Sequence, residues 1–414
     1  MWRSLDKKNE RGGALLRLVV FGAILGATAA GAFFVGRSQS PATLQERDRE
    51  GLELYAEALD VVRDDYVDQG AIDAEKQTYG AIEGMLDTLG DAGHTRFLTP
   101  EEREQNQDGL SGTYVGIGVQ LEARDGEVMV TSPIEGSPAE EAGVESGDVI
   151  VAVDGKDVRG EDVSGIASRV KGPEGTRVEL TVTRDGSRRS FNLERAEIAS
   201  SSVSWARLPE SDVAHVGLSS FSDDSAEELE RAFEEARNAG TRRFVLDLRG
   251  NPGGRLDQAV EAAGYFLEPG SVAYVREDAS GEREKVEVEG EPGLTEAPLV
   301  VLVDGASASS SEILAGTLRD NDRATVVGET TVGTGTVLSE FELEDGSAIL
   351  LGVAEWLTPD GDFIRETGIE PDVEVARQDD DEPVFPSEGR VLSREEIFEG
   401  DEQLRVAFEE LPAR

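Results

Sequence analysis

The spacing of apolar residues changes several times along this chain, and each change predicts a different element. From Leu18 to Gly36 the residues are uncharged and mostly apolar. At about 1.5 Å rise per residue, such a run nears the hydrocarbon thickness of a bilayer and predicts a membrane-spanning helix. Arg3, Lys7, Lys8, Arg11 and Arg17 precede it, which sets the N-terminus in the cytoplasm and the rest of the chain outside. Ala27-Thr28-Ala29 resembles the cleavage site of a signal peptide. The run continues through Phe33, Phe34 and Val35, which favours an uncleaved anchor over a secreted product. From Leu44 to Leu89 the period becomes helical. Leu52, Tyr55, Leu59, Val62 and Tyr66 recur at three- and four-residue steps, with Leu54 beside them. A second helix, about Ala74 to Leu89, puts Tyr79, Ile82, Met85 and Leu89 on one face, and Gly90-Asp91-Ala92-Gly93 ends it.

From Gly112 to about Leu193 the pattern is short alternating strands with glycine turns, beginning Val115-Gly116-Ile117-Gly118-Val119 and Val128-Met129-Val130. From about Glu194 to Val375 strands and helices alternate, as in a layered α/β domain. Val213 to Leu218 reads as a strand, Ser225 to Asn238 as an amphipathic helix, Arg243 to Arg249 as a buried strand, and about Leu256 to Leu267 as a helix. The run Gln378-Asp379-Asp380-Asp381-Glu382, flanked by prolines, predicts a mobile acidic linker. A helix near Ser393 to Leu411 closes the chain.

Composition removes whole classes of chemistry. The net charge of −46 argues against nucleic acid as a partner, because two polyanions repel. It fits a high-salt habitat or a generally acidic surface. With no cysteine, thiol catalysis, disulfides and thiolate metal sites are excluded. His94 and His215 are the only histidines, so no metal site and no cofactor is expected. His94, in a loop, and His215, in a strand, read as structural residues. His215 is also a substitute general base to be weighed, as is Lys171.

Two motifs carry candidate chemistry. Val301-Leu302-Val303 runs into a turn of small residues and then a helix opened by Ser309-Ser310-Ser311. A strand-to-helix turn presents a hydroxyl beside outward N–H groups, as a serine nucleophile and its oxyanion require. Some fifty residues earlier lies Asp247-Leu248-Arg249-Gly250-Asn251-Pro252-Gly253-Gly254. The segment with Gly116, Ile117 and Gly118 closely resembles a PDZ domain, in which such a loop presents N–H groups to a peptide's terminal carboxylate while the peptide adds as a strand. Taken in order, the whole arrangement resembles the carboxyl-terminal processing peptidases, or tail-specific serine proteases, over roughly Leu52 to Asp372.

That resemblance implies Ser309 as nucleophile, the N–H groups of Gly254 and Ser310 as oxyanion donors, and Gly116, Ile117 and Gly118 as the peptide-binding loop. Asp247 and Arg249 would brace the glycine turn. It also implies a lysine base, supported by a glutamine four residues on, where this chain has Thr334 and Leu338. Threonine does not take a proton from serine at neutral pH, so two readings stand: an extracytoplasmic endopeptidase with another base, or a pseudoprotease that binds tails without cutting. The expected fold is a multidomain α/β and β chain. It comprises a cytoplasmic tail (1–12), an anchor or signal peptide (13–36), a helical region (37–105), a PDZ domain (106–194), a peptidase-like core related to the ClpP/crotonase fold (195–376), and an acidic linker with a final helix (377–414). The expected partners are proteins or peptides with apolar C-termini, and the membrane.

Overall fold

Residues 46–412 are described by a computed structural model, except 92–93, 125, 135, 200, 378–382, 387–392 and 394–399. The predicted membrane span and the acidic run 378–382 fall outside these residues. Among the described residues no helix is long and apolar enough to cross a membrane.

Helix α1 (Glu46–Asp65) forms as its period predicts, yet most of its apolar residues are exposed, Leu52 by 53% and Val62 by 42%, while Leu59 is half-buried. Helix α2 (Ala74–Asp87) stops two residues before the expected Leu89. Its buried residue is Leu86, while Met85 and Leu89 are exposed. The inward face therefore turns from Tyr79 and Ile82 to Leu86, not to Met85. Tyr79 packs on Phe97 of β1 (Arg96–Leu98) at 4.8 Å between ring centroids. Thr99 then caps α3 (Pro100–Ser111) in a reciprocal box with Glu102.

The alternating segment becomes a small β-domain. Strand β2 (Thr113–Gly116) leads to β3 (Val119–Arg124), β4 (Glu127–Pro133), the short helix α4 (Pro138–Glu141), β5 (Val149–Val153) and β6 (Lys156–Asp157). Helix α5 (Val163–Val170), which the sequence reading did not single out, precedes β7 (Arg177–Arg184) and β8 (Ser187–Glu194). The sheet order is β3-β4-β5-β7-β8, with β6 on β5. Val130, Leu180 and Val182 are fully buried in its core with Ile117 and Ile166. Strand β2 instead pairs with β9 (Ala196–Ala199).

The α/β core is built on a six-stranded sheet. Its order is β10 (Val203–Arg207), β11 (Val213–Leu218), β12 (Arg243–Asp247), β15 (Leu299–Val303), β16 (Thr325–Gly328), β19 (Val373–Glu374). All pairs from β11 to β19 are parallel. Parallel strands are covered on both faces. Helices α6 (Ser225–Asn238), α7 (Leu256–Phe266) and α8 (Ser310–Asp320) pack on one side around Phe233, Phe244 and Phe266. The last helix, α9 (Glu402–Glu410), covers the other side with Leu404, Ala407 and Leu411 against Val245, Val300 and Val327. Of the helix predicted near Ser393 to Leu411, residues 394–399 lie outside the described residues. A second sheet joins β1, β13 (Val272–Asp278), β14 (Arg283–Glu287), β17 (Thr336–Glu342) and β18 (Ala348–Leu357).

The parallel register aligns the strand ends. Asp247 lies beside Leu302, and Val303 beside Gly328. The loops leaving β12, β15 and β16 therefore emerge together at the carboxyl edge of the sheet, where open α/β sheets place their ligands.

Candidate active site

Ser309 has φ 53° and ψ −117°, and precedes the first residue of α8. A non-glycine residue rarely enters this region, and it costs strain that neighbouring contacts must over-determine. The contacts are visible. Ala308 N donates to Asn251 O at 3.0 Å and the Ser311 hydroxyl to the same oxygen at 3.0 Å. The Ser307 hydroxyl donates to Leu248 O at 2.8 Å, and Gly250 N donates to Asp304 Oδ1 at 2.9 Å. Three small hydroxyl residues thus stitch the serine turn to the glycine turn, with Ser310 Oγ donating to Gly254 O at 3.1 Å.

The glycine turn is held equally closely. Asn251 donates its side-chain N–H to Leu218 O at 2.9 Å, and its side-chain oxygen accepts from Gly253 N at 2.8 Å. A Cβ at Gly253 would lie 2.7 Å from Ser309 Cβ, and one at Gly254 would lie 2.2 Å from Phe221 O. Only glycine fits here, at φ 96° and 138°. Phe221 N donates to Gly253 O and Arg255 N to Phe221 O. Among the described hydrogen bonds the N–H groups of Gly254 and Ser310 are not used as donors. Both flank Ser309, as oxyanion donors do.

Glu312 was read only as part of the serine motif, yet it organises the site. It is fully buried on the first turn of α8. Its Oε2 accepts from Ser309 N at 2.8 Å, Thr334 N at 3.0 Å and Thr334 Oγ1 at 2.6 Å. Its Oε1 accepts from Gly333 N at 2.6 Å and Thr331 Oγ1 at 2.5 Å. Five donors replace the water a carboxylate loses on burial. Among the described residues no arginine, lysine or histidine pairs with it. The signal was present in the sequence: Ser309 followed at the third position by Glu312 is a capping-box spacing.

Thr334, 6% exposed, has its hydroxyl 2.7 Å from Ser309 N, from which it accepts. The loop that carries it is closed by Gly333 and Gly335, where any Cβ would meet backbone of residues 364–368 at under 3 Å. His94 lies beside this loop, its Nδ1 3.0 Å from Thr336 Oγ1. Leu338 is 40% exposed.

The two substitute bases are placed elsewhere. His215 is fully buried in β11, with Nε2 2.8 Å from Asp247 Oδ2 and no hydrogen-bond partner for Nδ1 among the described residues. Arg249 donates to Asp247 at 2.7 and 2.9 Å, to Asp401 at 2.9 Å through two nitrogens, and to Gln403. Burial opposes charge on Asp247, but the Arg249 guanidinium and the hydrogen bonds from His215 and Arg249 hold its carboxyl well below the usual carboxylate range. Asp247 and Arg249 thus tie the end of β12 to β11 through His215 and to the start of α9 through Asp401 and Gln403.

Lys171 caps α5 with Nζ 5.2 Å from the Tyr114 ring centroid. Both residues line a cavity of about 210 Å³, mostly apolar, with Gly116, Gly118, Val163 and Ala167. Gly118 has φ 74°, and its carbonyl accepts from Ile134 N and from the Ser137 hydroxyl. Ile117 turns its side chain into the core. Among the described hydrogen bonds, Ile117 N and Gly118 N donate to nothing.

The chain matches peptidase family S41 over residues 212–375 and a PDZ domain over residues 129–184. It is 35% identical over 323 residues to the carboxy-terminal processing protease CtpA of Bacillus subtilis (strain 168), covering 78% of this chain and 68% of that protein. It is 33% identical over 372 residues to a probable CtpA-like serine protease of Staphylococcus aureus (strain COL), covering 89% and 73%. Among solved structures it is similar to a photosystem II D1 C-terminal processing protease, with 31% identity, 78% and 92% coverage and a TM-score of 0.46.

Proposed function

The chain belongs to the carboxyl-terminal processing serine proteases of peptidase family S41, and we propose that this member captures peptide tails in the groove between Tyr114 and Lys171 and cleaves them at Ser309. The observation that carries this reading is Ser309, with its positive φ at the start of α8, beside the N–H groups of Gly254 and Ser310, which donate to nothing among the described hydrogen bonds. The Ser309 hydroxyl oxygen attacks the scissile carbonyl carbon, the two N–H groups receive the oxyanion, and water later releases the acyl group. The groove supplies apolar wall for a tail's side chains, and the Ile117 and Gly118 N–H groups supply donors for its terminal carboxylate.

A second reading is favoured by Thr334. A hydroxyl already hydrogen-bonded to Glu312 and to Ser309 N stands where the family resemblance leads one to expect a lysine. The chain in that case binds tails without cutting them. Residues 13–36 serve as anchor in either case, with the PDZ domain (106–194) and the peptidase-like core (195–376) on the extracytoplasmic side.

The deciding experiment incubates the chain with an unfolded protein that ends in apolar residues, and follows fragments by mass spectrometry beside Ser309→Ala. Cleavage absent from the variant supports the protease. Binding without cleavage, switched to cleavage by Thr334→Lys, supports the tail-binding pseudoprotease.

A further inference from the structure

We propose that Thr334 and Glu312 act together as the proton acceptor for Ser309, Thr334 being a catalytic relay and Glu312 the group that holds the proton. This inference rests on the protease reading above and supplies the base that reading lacks.

The hydrogen-bond inventory of Thr334 carries the argument. A hydroxyl has one hydrogen to donate and two lone pairs to accept with. Its hydrogen is given to Glu312 Oε2 at 2.6 Å. One lone pair receives Ser309 N–H at 2.7 Å. The second lone pair is unused among the described hydrogen bonds, although Thr334 is only 6% exposed. The side chain of the residue whose N–H lies 2.7 Å away ends in a hydroxyl able to fill it. The capacity left on Thr334 therefore matches the proton that Ser309 must lose.

Glu312 suits the far end of that chain. Its carboxylate lies on the first turn of α8 and has no cation paired with it among the described residues, so its charge is balanced only by neutral donors. A purely structural Thr334 needs only its donor bond to Glu312, whereas the relay also requires its second lone pair to accept from the Ser309 hydroxyl.

The step balances without a co-reactant. As the Ser309 Oγ–C bond forms, the carbonyl π pair moves to the oxygen held by Gly254 N and Ser310 N. The Ser309 Oγ–H bond breaks and its proton passes to Thr334 Oγ1, whose own proton passes to Glu312 Oε2. On collapse Glu312 returns its proton to Thr334, and Thr334 delivers its proton to the leaving amine nitrogen as the C–N bond breaks. The protonated Glu312 donates to Thr334 Oγ1 in the interval, so no buried group is left unpaired.

The test uses the full chain with an unfolded protein ending in apolar residues, in the parent and in Thr334→Val, Thr334→Ser, Glu312→Gln and Ser309→Ala. Thr334→Val keeps the shape and removes the hydroxyl, and is expected to lower kcat by about 100-fold or more with KM little changed. Thr334→Ser restores the hydroxyl and is expected within about tenfold of the parent. In mixtures of H2O and D2O the parent's acylation rate is expected to curve with deuterium fraction, because two protons move in one step. Thermal unfolding checks each variant's fold. If Thr334→Val does not fold, Thr334→Ser and the isotope series still decide. Ser309-dependent cleavage that survives Thr334→Val at the parent rate overturns the relay and leaves the protease reading standing. A parent that shows no Ser309-dependent cleavage overturns both.

Discussion

Ser309 is the residue on which backbone and chemistry meet. Its positive φ is unusual for serine, and it is tolerated because Asn251 O accepts from Ala308 N while Glu312 and Thr334 both accept from the N–H of Ser309 itself. The turn opposite depends on having no side chains. Gly254→Ala would bring a methyl to within 2.2 Å of Phe221 O at a φ of 138°. Relief must come from backbone movement. We expect a loss of roughly 1–3 kcal/mol of stability and at least about a tenfold fall in kcat, since the proposed oxyanion donor Gly254 N–H moves with the turn. Thermal unfolding and turnover measured on one preparation check both. Unchanged kcat in a well-folded variant would remove Gly254 from the oxyanion site. The serine turn and the glycine turn were readable in the sequence because motifs report local geometry. Glu312 was overlooked because a carboxylate in a helix's first turn is equally at home facing solvent, and only burial turned it inward.

At the scale of elements, α9 is the part whose role changed most. Its helical period was readable, but acidic residues before it suggested a tether. Instead Leu404, Ala407 and Leu411 close one face of the parallel sheet. Asp401 caps α9, accepting from Leu404 N, while pairing with Arg249. Asp401→Ala removes one carboxylate from a buried network, and we expect roughly 3–5 kcal/mol of destabilisation. A denaturation midpoint equal to that of the parent would contradict this. The same network sets an acid limit. Asp247 has a folded pKa below its unfolded value, for the causes given above, so its contribution is present above the unfolded carboxylate pKa of about 3.9. The contribution fades as pH falls from there toward the folded pKa. Unfolding free energy measured between pH 3 and pH 6 should therefore drop at the acid end, and Asp247→Asn should flatten that drop.

For the whole molecule, charge is the dominant sequence-level quantity. Asp and Glu number 86 against 40 Lys and Arg. Many of the described ion pairs are partly exposed, such as Arg159 with Asp157 and Arg177 with Glu194, and contribute little individually. The excess negative charge repels itself in the folded state. Raising ionic strength to about 1 M shortens the Debye length to about 3 Å, so the unfolding temperature is expected to rise with sodium chloride. A fall would mean that the exposed pairs outweigh the repulsion.

The sequence alone determined the order of domains, the strand and helix periods and the positions of Ser309, Gly253, Gly254 and the Gly116–Gly118 loop. Each of those depends on residues near one another in the chain. The tertiary structure alone decided which of the remaining groups meet Ser309. It brought the loops after β12, β15 and β16 to one sheet edge, set Glu312 and Thr334 beside the serine, buried His215 against Asp247, and kept Lys171 at Tyr114. Those contacts join residues that can be far apart in the chain, 25 positions for Ser309 and Thr334 and 152 for Arg249 and Asp401. Parallel register and burial select such partners, and neither quantity is carried by a local pattern of residues.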